Sequence, residues 1–132
     1  MTDYGKSLIA MVKEKKEGIV YVSSGEGTTS QGEFHEAVNW ASREKIPVVF
    51  VIQNNKWAIS VPVEHQTAGK NASIVEMMKG YENLLRFEVD GTDFIESYQA
   101  AVEAVEYCCN KKLVLCSDAF FGLCSNSSEV AF

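Results

Sequence analysis

Apolar and polar positions along the chain follow two patterns, short continuous apolar runs and longer stretches with helical spacing. The continuous runs are rich in β-branched residues, which is typical of strands covered on both faces of a sheet. These runs lie at 19–24, 47–53, 85–89 and 113–116. The helical stretches lie at 3–16, 30–45 and 94–109, with a short one at 74–78. Strands therefore alternate with helices, which predicts an α/β fold with a doubly wound, mostly parallel sheet.

The predicted helices show which residues should face the core. In the stretch 30–45, Phe34 and Val38 lie four positions apart on one face, and we expect Phe34, Trp40 and Phe50 in the core. Asp93 and Glu96 form a capping box before the helix at 94–109. The apolar stripe predicted for that helix consists of Phe94, Tyr98, Ala101, Val102, Val105 and Cys109. The segment 54–71, with Pro62 and Gly69, is predicted to be a loop.

Length and pattern predict one partial domain followed by a different tail. With 132 residues, the chain is large enough for a single domain with a real core. The alternating pattern fills residues 1–116, while 117–132 has neither a period nor a cap. We therefore expect 117–132 to be irregular, an interrupted structure of the kind that a truncated or frameshifted reading frame would produce.

Charge and cysteine content exclude several classes of protein. The net charge is −6 and the pI is about 4.9, so a nucleic-acid-binding face is not expected. No apolar run approaches the roughly 18 residues of a membrane span, and no secretory signal is visible at the start. The four cysteines form no C-x-x-C spacing, which favours reduced thiols in an intracellular protein.

Two polar motifs follow the first two predicted strands. Gly25-Glu26-Gly27-Thr28 follows the run at 19–24, and Asn54-Asn55 follows the run at 47–53. If these strands are parallel neighbours, Glu26 and Asn55 emerge at the edge where open α/β sheets bind ligands. The glycines offer positive φ and close approach of a ligand to the backbone. The amides of 28–30 open a helix that attracts phosphate.

A carboxylate beside a phosphate group requires a cation between them. Mg²⁺ and Ca²⁺ both accept oxygen ligands from carboxylate, amide and phosphate groups. Glu26 and Asn55 supply the first two kinds of oxygen, and a backbone carbonyl near Trp57 is a candidate third ligand. The pattern therefore favours a diphosphate held through a hard divalent cation.

Other interpretations of these motifs fit the sequence less well. A dinucleotide fingerprint would need glycine at Ser30, and a phosphate-binding P-loop would need lysine at Glu33. Taken one at a time, each motif also fits an ordinary turn, but their joint position after two strands argues against that interpretation. His35 and His65 are candidate proton carriers, although a surface or capping role fits both better.

The two motifs and their flanks resemble one family. The chain looks like the alpha subunit of the thiamine-diphosphate-dependent, decarboxylating component of 2-oxoacid dehydrogenase complexes, of the pyruvate, branched-chain 2-oxoacid or acetoin type. G-E-G at 25–27 with N-N at 54–55 resembles the thiamine-diphosphate signature. S-x-G-x-x-H-E at 30–36, A-I-S-x-P at 58–62 and V-D-G-x-D at 89–93 are similar to the segments that flank it. The likeness runs from about residue 4 to residue 112.

This resemblance implies a partial thiamine-diphosphate-binding fold with bound Mg²⁺. By the resemblance, Glu26 and Asn55 bind the metal through side chains and Trp57 through its carbonyl. Gly25, Gly27 and Thr28 would line the diphosphate. The implied activity is oxidative decarboxylation of a 2-oxoacid with acyl transfer to a lipoyl domain of the acyltransferase component. A beta subunit would complete the cofactor site, and a cytoplasmic or, in a eukaryote, mitochondrial-matrix location is expected.

The chain also departs from the family pattern, which keeps alternatives open. Lys56 replaces the usual glycine, so we expect strain in the metal loop. The segment 126–129, nearest to the family's H-S-x-S-D loop, has Asn126 in place of the catalytic histidine, so no catalytic residue is assigned. The chain is expected to be inactive alone. The alternatives are a non-catalytic remnant or a half-domain of another thiamine-diphosphate enzyme.

Overall fold

A computed structural model describes residues 18–110 and 119–124 of the chain. The strands are β1 (Val20–Gly25), β2 (Val48–Asn54), β3 (Trp57–Ala58), β4 (Val61–Pro62), β5 (Leu85–Asp90) and β6 (Ala119–Cys124). The α-helices are α1 (Gly32–Glu44), α2 (Ile74–Met77) and α3 (Phe94–Asn110). Short 3₁₀ helices occupy Glu26–Ser30, Val63–His65, Lys70–Ala72 and Met78–Gly80.

The main sheet has four strands in the order β1-β2-β6-β5, and all of its pairings are parallel. Strands β3 and β4 form a separate antiparallel hairpin. Helices α1 and α2 pack on one face of the main sheet, and α3 packs on the other. The predicted α/β fold with a doubly wound, mostly parallel sheet is therefore confirmed.

Strand β2 carries the core on both of its faces. Val48, Phe50 and Ile52 point to the cluster beneath α1, while Val49 and Val51 point to the cluster beneath α3. A continuous apolar run is the pattern that such a doubly covered strand requires. The prediction that Phe34 and Phe50 lie in the core is confirmed. Their rings pack edge to face, with 6.2 Å between the ring centroids.

Two predicted core assignments are wrong. Trp40 is exposed on α1, where the guanidinium of Arg43 lies 5.0 Å from its ring centre. The predicted stripe of α3 is also exposed, including Phe94, Tyr98, Ala101, Val102, Val105 and Cys109. Ala100, Ala104 and Cys108 form the buried face of this helix. Small side chains let the helix approach the sheet closely, so the larger ones lie outside the contact.

The end of the chain also differs from the expectation. The segment 117–132 was expected to be irregular, but β6 occupies Ala119–Cys124 within it, between β2 and β5. The apolar run at 119–124 suits an inner strand paired on both sides. The predicted helix at 3–16 and the predicted strand at 113–116 lie outside the described residues. Within the described part, no helix has the length and apolar character that a membrane span needs.

Candidate functional site

The end of β1 leads directly into a buried carboxylate. Gly25 ends the strand, and Glu26 begins the 3₁₀ helix that precedes α1. The Thr29 hydroxyl donates a hydrogen bond to the Glu26 carbonyl at 2.7 Å, which fixes this turn. Glu26 is only 3% exposed, and its Oε1 atom has no hydrogen-bond partner. The predicted helix start at 28–30 is therefore a 3₁₀ turn, and α1 begins two residues later at Gly32.

The end of β2 forms two consecutive side-chain turns. Oδ1 of Asn54 accepts a hydrogen bond from the Lys56 amide at 2.9 Å, and Oδ1 of Asn55 accepts one from the Trp57 amide at 2.8 Å. Lys56 has φ 68°, in the left-handed region, as expected for a position where the family usually has glycine. A carbonyl oxygen has two lone pairs, so the Asn55 oxygen keeps one acceptor site for a second partner.

The β3–β4 hairpin leaves the Trp57 carbonyl outside its hydrogen-bond ladder. The Val63 amide donates to the Lys56 carbonyl at 3.0 Å, and Trp57 lies opposite Pro62. Alternate pairs of an antiparallel ladder are not hydrogen-bonded, and proline has no N–H to donate. The Trp57 carbonyl is therefore available to another ligand, as the predicted metal site requires.

The carboxyl ends of β1 and β2 open into one cavity of about 680 Å³. The parallel pairing sets Gly25 beside Gln53, so the residues that follow each strand emerge together. All six predicted site residues line this cavity: Gly25, Glu26, Gly27, Thr28, Asn55 and Trp57. The structure thus brings together residues from the two motifs.

Gly27 lines the cavity without adopting the positive φ that glycine permits. No glycine among the described residues has positive φ, so neither Gly25 nor Gly27 serves as a left-handed position. A Cβ atom on Gly27 would lie 2.9 Å from the Cβ of Ala58. Gly27 therefore permits close contact between the turn after β1 and the β3–β4 hairpin.

Sequence reasoning missed five residues of the cavity wall, namely Gln31, Gln53, Ala58, Ile59 and Gly91. Gln53 and Gly91 follow the same rule as the motifs, since they lie at or just after the carboxyl ends of β2 and β5. Ile59 is 99% exposed and has φ 57° in the turn between β3 and β4. Such a turn usually has glycine there, so the residue type of Ile59 did not indicate the turn.

The charge at the cavity wall is acidic. Among the described residues that line it, Glu26 is the only ionisable side chain and no basic one is present. No group of three or more His, Cys, Asp or Glu residues in the described part of the chain could hold a metal ion. A cation here would therefore need amide and main-chain oxygens beside Glu26, which Asn55 and Trp57 offer.

Beside Gly91, a hydrogen-bonded loop follows β5. The Asp90 carboxylate accepts hydrogen bonds from the Thr92 hydroxyl at 2.7 Å and the Thr92 amide at 2.9 Å. These hydrogen bonds, that of the hydroxyl above all, lower the pKa of Asp90 below its usual value. The ionised carboxylate therefore holds the loop that carries Gly91 to the cavity.

The two histidines do not line the cavity. His35 is half-buried on α1, and its ring centroid lies 5.6 Å from that of Phe34. His65 is exposed in a 3₁₀ helix. The described residues therefore supply no histidine to the candidate site.

Comparison with solved structures identifies the fold class. The chain superimposes with a TM-score of 0.62 and 18% identity on an X-ray structure assigned as a thiamin diphosphate-dependent enzyme from Mycobacterium smegmatis. The match covers 89% of this chain and 20% of that one. The described part of the chain thus has an α/β fold like that found in this enzyme.

Sequence comparison identifies the family. Residues 4–115 match the family described as "Dehydrogenase E1 component", so the chain belongs to this family. It is 45% identical over 93 residues to the 2-oxoisovalerate dehydrogenase subunit alpha of Bacillus subtilis. It is 40% identical over 94 residues to the pyruvate dehydrogenase E1 component subunit alpha of Staphylococcus epidermidis.

These matches include most of this chain but a small part of each relative. They cover 70% and 71% of this chain, and 27% and 25% of the two relatives. The pyruvate dehydrogenase E1 component subunit alpha of Bacillus subtilis matches in the same way, with 77% of this chain and 27% of the relative covered. The matched part thus corresponds to about a quarter of the length of these curated relatives.

Proposed function

We propose that the cavity binds the diphosphate group of thiamine diphosphate together with a Mg²⁺ ion. Glu26 and Asn55 would hold the ion through side-chain oxygens, and Trp57 would hold it through its main-chain carbonyl. Carboxylate, amide and carbonyl oxygens are the ligands that this hard cation prefers.

The observation that carries the proposal is the buried, unpartnered carboxylate oxygen of Glu26. A buried carboxylate charge without a partner is unfavourable, and a counter-ion beside it would offset that cost. No basic side chain among the described residues lines the cavity to play this part. A divalent cation would balance Glu26 and would also let an anionic diphosphate bind beside it.

The wall beside the proposed ion suits a diphosphate. Apart from Gly25 and its two chain neighbours, no described residue lies within 4 Å of the position that a Cβ atom on Gly25 would take, so the backbone there is open to a ligand. Gly27 and Thr28 continue this wall, and the Thr28 hydroxyl can donate a hydrogen bond to a phosphate oxygen. We therefore infer that Gly25, Gly27 and Thr28 contact the diphosphate.

For the whole protein, we propose the activity of a 2-oxoacid dehydrogenase alpha subunit. When bound, thiamine diphosphate supplies the electron sink for decarboxylation. The role of this chain's residues would be to bind and orient the charged end of the cofactor. The names of the relatives support pyruvate or a branched-chain 2-oxoacid as the substrate.

The same proposal includes partners and a location. A beta subunit would complete the cofactor site, since the relatives are named as alpha subunits. The acyl group would pass to a lipoyl domain of an acyltransferase component. The cytoplasm, or the mitochondrial matrix in a eukaryote, is the compartment where we expect this chemistry.

Isothermal titration calorimetry of the full chain with thiamine diphosphate, with and without Mg²⁺, tests the proposed site. We expect binding that requires Mg²⁺, and we expect Glu26→Gln to abolish it because the amide removes the charge at nearly constant size. Glu33→Gln is the matched control, since Glu33 is exposed in the first turn of α1. Binding without Mg²⁺, or equal binding by Glu26→Gln, would contradict the metal site. No binding by the unmodified chain would favour the non-catalytic remnant.

A further inference from the structure

The oxygen groups that the cavity offers to a metal ion carry little charge. They are the unpartnered Oε1 atom of Glu26, the second acceptor site of the Asn55 oxygen and the carbonyl of Trp57. Only the Glu26 carboxylate is charged. Mg²⁺ usually binds through one or two carboxylates together with phosphate oxygens of a ligand, and seldom through protein groups alone. The site therefore suits an ion that binds as a complex with a diphosphate.

Burial at the cavity wall is concentrated at the same place. Among the described residues that line the cavity, Glu26 alone is buried, with 3% of its surface exposed. A binding site rejects a wrong ligand strongly when that ligand leaves the buried polar groups of the site unpaired. The group at this wall that can discriminate in this way is the Glu26 carboxylate, and it acts on the ion and the diphosphate.

The β3–β4 hairpin offers the rest of a ligand an open apolar surface. Ile59 is 99% exposed and Trp57 is 48% exposed, and both line the cavity together with Ala58. An apolar surface does not strongly reject a ligand that differs only in its polar groups. These residues can therefore contact organic groups of different chemistry.

Two carboxamides complete the wall, and neither fixes a hydrogen-bond pattern. Gln31 lies between the first 3₁₀ helix and α1, Gln53 lies in β2, and both are exposed. A carboxamide carries both donor and acceptor atoms, and an exposed one can turn to present either. Gln31 and Gln53 therefore suit a donor or an acceptor on the ligand equally well.

We propose that this chain recognises the metal–diphosphate unit of its ligand and not the organic group attached to it. Mg²⁺ complexes of other diphosphate monoesters, such as a nucleoside diphosphate, then bind at the same residues with similar affinity. This inference rests on the proposed diphosphate site. Selection of the thiamine part would fall to the partner that completes the site.

Isothermal titration calorimetry of the full chain at saturating Mg²⁺ tests the inference with ADP and thiamine diphosphate. The two ligands share a diphosphate monoester and differ in the organic group. We expect their dissociation constants to agree within roughly tenfold. We also expect the heat of ADP binding to disappear when the chain is first saturated with thiamine diphosphate, since both ligands occupy one site.

Thiamine monophosphate is the matched ligand control, because it keeps the organic group and loses one phosphate. It should bind much more weakly than ADP. Glu26→Gln should abolish the binding of both diphosphates, while Glu33→Gln, in the exposed first turn of α1, should retain both. Loss of only one of the two ligands in Glu26→Gln would place ADP at a different site and overturn the inference.

The remaining outcomes separate this inference from the proposed function. Binding of ADP that is more than roughly tenfold weaker than that of thiamine diphosphate would overturn the inference and leave the metal–diphosphate site intact. Equal binding of thiamine monophosphate and thiamine diphosphate, or ADP that thiamine diphosphate does not displace, would also overturn it. Absence of binding by both diphosphates would overturn the proposed site itself.

Discussion

Gly27 is the residue at which the two halves of the candidate site touch. A Cβ atom at this position would lie 2.9 Å from the Cβ of Ala58, well inside the contact distance of two carbon atoms. We expect Gly27→Ala to lower the free energy of unfolding by about 1–3 kcal/mol, since overpacking forces the backbone or its neighbours to move. Urea denaturation of the full chain measures this loss.

Two control variants separate this contact from a general effect of alanine. Gly25→Ala adds the same methyl group where no described residue other than its two chain neighbours lies within 4 Å, so it should change stability little. Gly27→Ala combined with Ala58→Gly removes the opposing methyl group and should recover most of the loss. Failure of the double variant to recover stability would show that the contact with Ala58 is not the cause.

Lys56 carries backbone strain in the loop that positions Asn55 and Trp57. Its φ of 68° lies in the left-handed region, which costs a residue with a Cβ atom about 1–2 kcal/mol. We expect Lys56→Gly to stabilise the chain by about 0.5–1 kcal/mol, because the greater freedom of glycine in the unfolded state offsets part of the relief. Thermal unfolding measures the change. Lys56→Ala keeps the Cβ atom and should give no gain, and an equal gain from both variants would contradict the argument.

For single residues, the sequence predicted correctly which ones lie together at the cavity, but it did not predict the backbone conformation or packing of the glycines among them. The six predicted site residues line one cavity because strand order and parallel direction bring strand ends together. The glycines were expected to supply positive φ, but Lys45, Lys56, Ile59, Asn71 and Ala72 adopt it instead. Close packing between Gly27 and Ala58 depends on tertiary contacts that no local pattern encodes.

Among the elements, α3 begins at a well-formed cap. Oδ1 of Asp93 accepts hydrogen bonds from the amides of Ile95 at 2.8 Å and Glu96 at 3.1 Å. The Asp93 amide donates to the Asp90 carbonyl, so the reciprocal half of the predicted capping box is not formed. We expect Asp93→Ala to reduce the free energy of unfolding by about 1 kcal/mol, which is typical for the loss of an N-cap. Urea denaturation measures it.

The matched variant for this cap is Asp93→Asn, which keeps an oxygen acceptor and removes the charge. It should retain most of the stability, since asparagine caps helices about as well as aspartate. If Asp93→Asn lost as much as Asp93→Ala, attraction between the charge and the helix dipole would be responsible instead of the hydrogen bonds.

The positions of the helices and strands along the chain were largely predictable, but the buried face of α3 and the order of the strands in the sheet were not. Strands β1, β2 and β5 lie within a residue or two of their predicted bounds, because continuous apolar runs mark buried strands. The bounds of helix α3 were predicted correctly, but its buried face was not. The pattern pointed to the large apolar residues, whereas Ala100 and Ala104 face the core. The two-residue strands of the β3–β4 hairpin are too short for any period, so they were missed.

For the whole molecule, the winding of the chain determines where a ligand can lie. The chain passes from β1 to β2 and on to β5, then returns through α3 to β6 between β2 and β5. Right-handed connections require α3 to lie on the opposite face from α1, as it does. The carboxyl ends of all these strands share one edge, and residues after β1, β2 and β5 all contribute to the cavity.

Binding of cofactor by this chain should be separable from turnover of substrate. Glu26 is the only ionisable side chain at the described cavity wall, and the proposed metal would occupy it, so no described group there remains for proton transfer. With thiamine diphosphate and Mg²⁺, we expect the purified chain to release no CO₂ from pyruvate or 2-oxoisovalerate above the rate of a chain-free mixture. Calorimetry on the same sample provides the control that the cofactor is bound. Chain-dependent CO₂ release without any partner would show that this chain holds a complete active site, and the proposed need for a beta subunit would then be wrong.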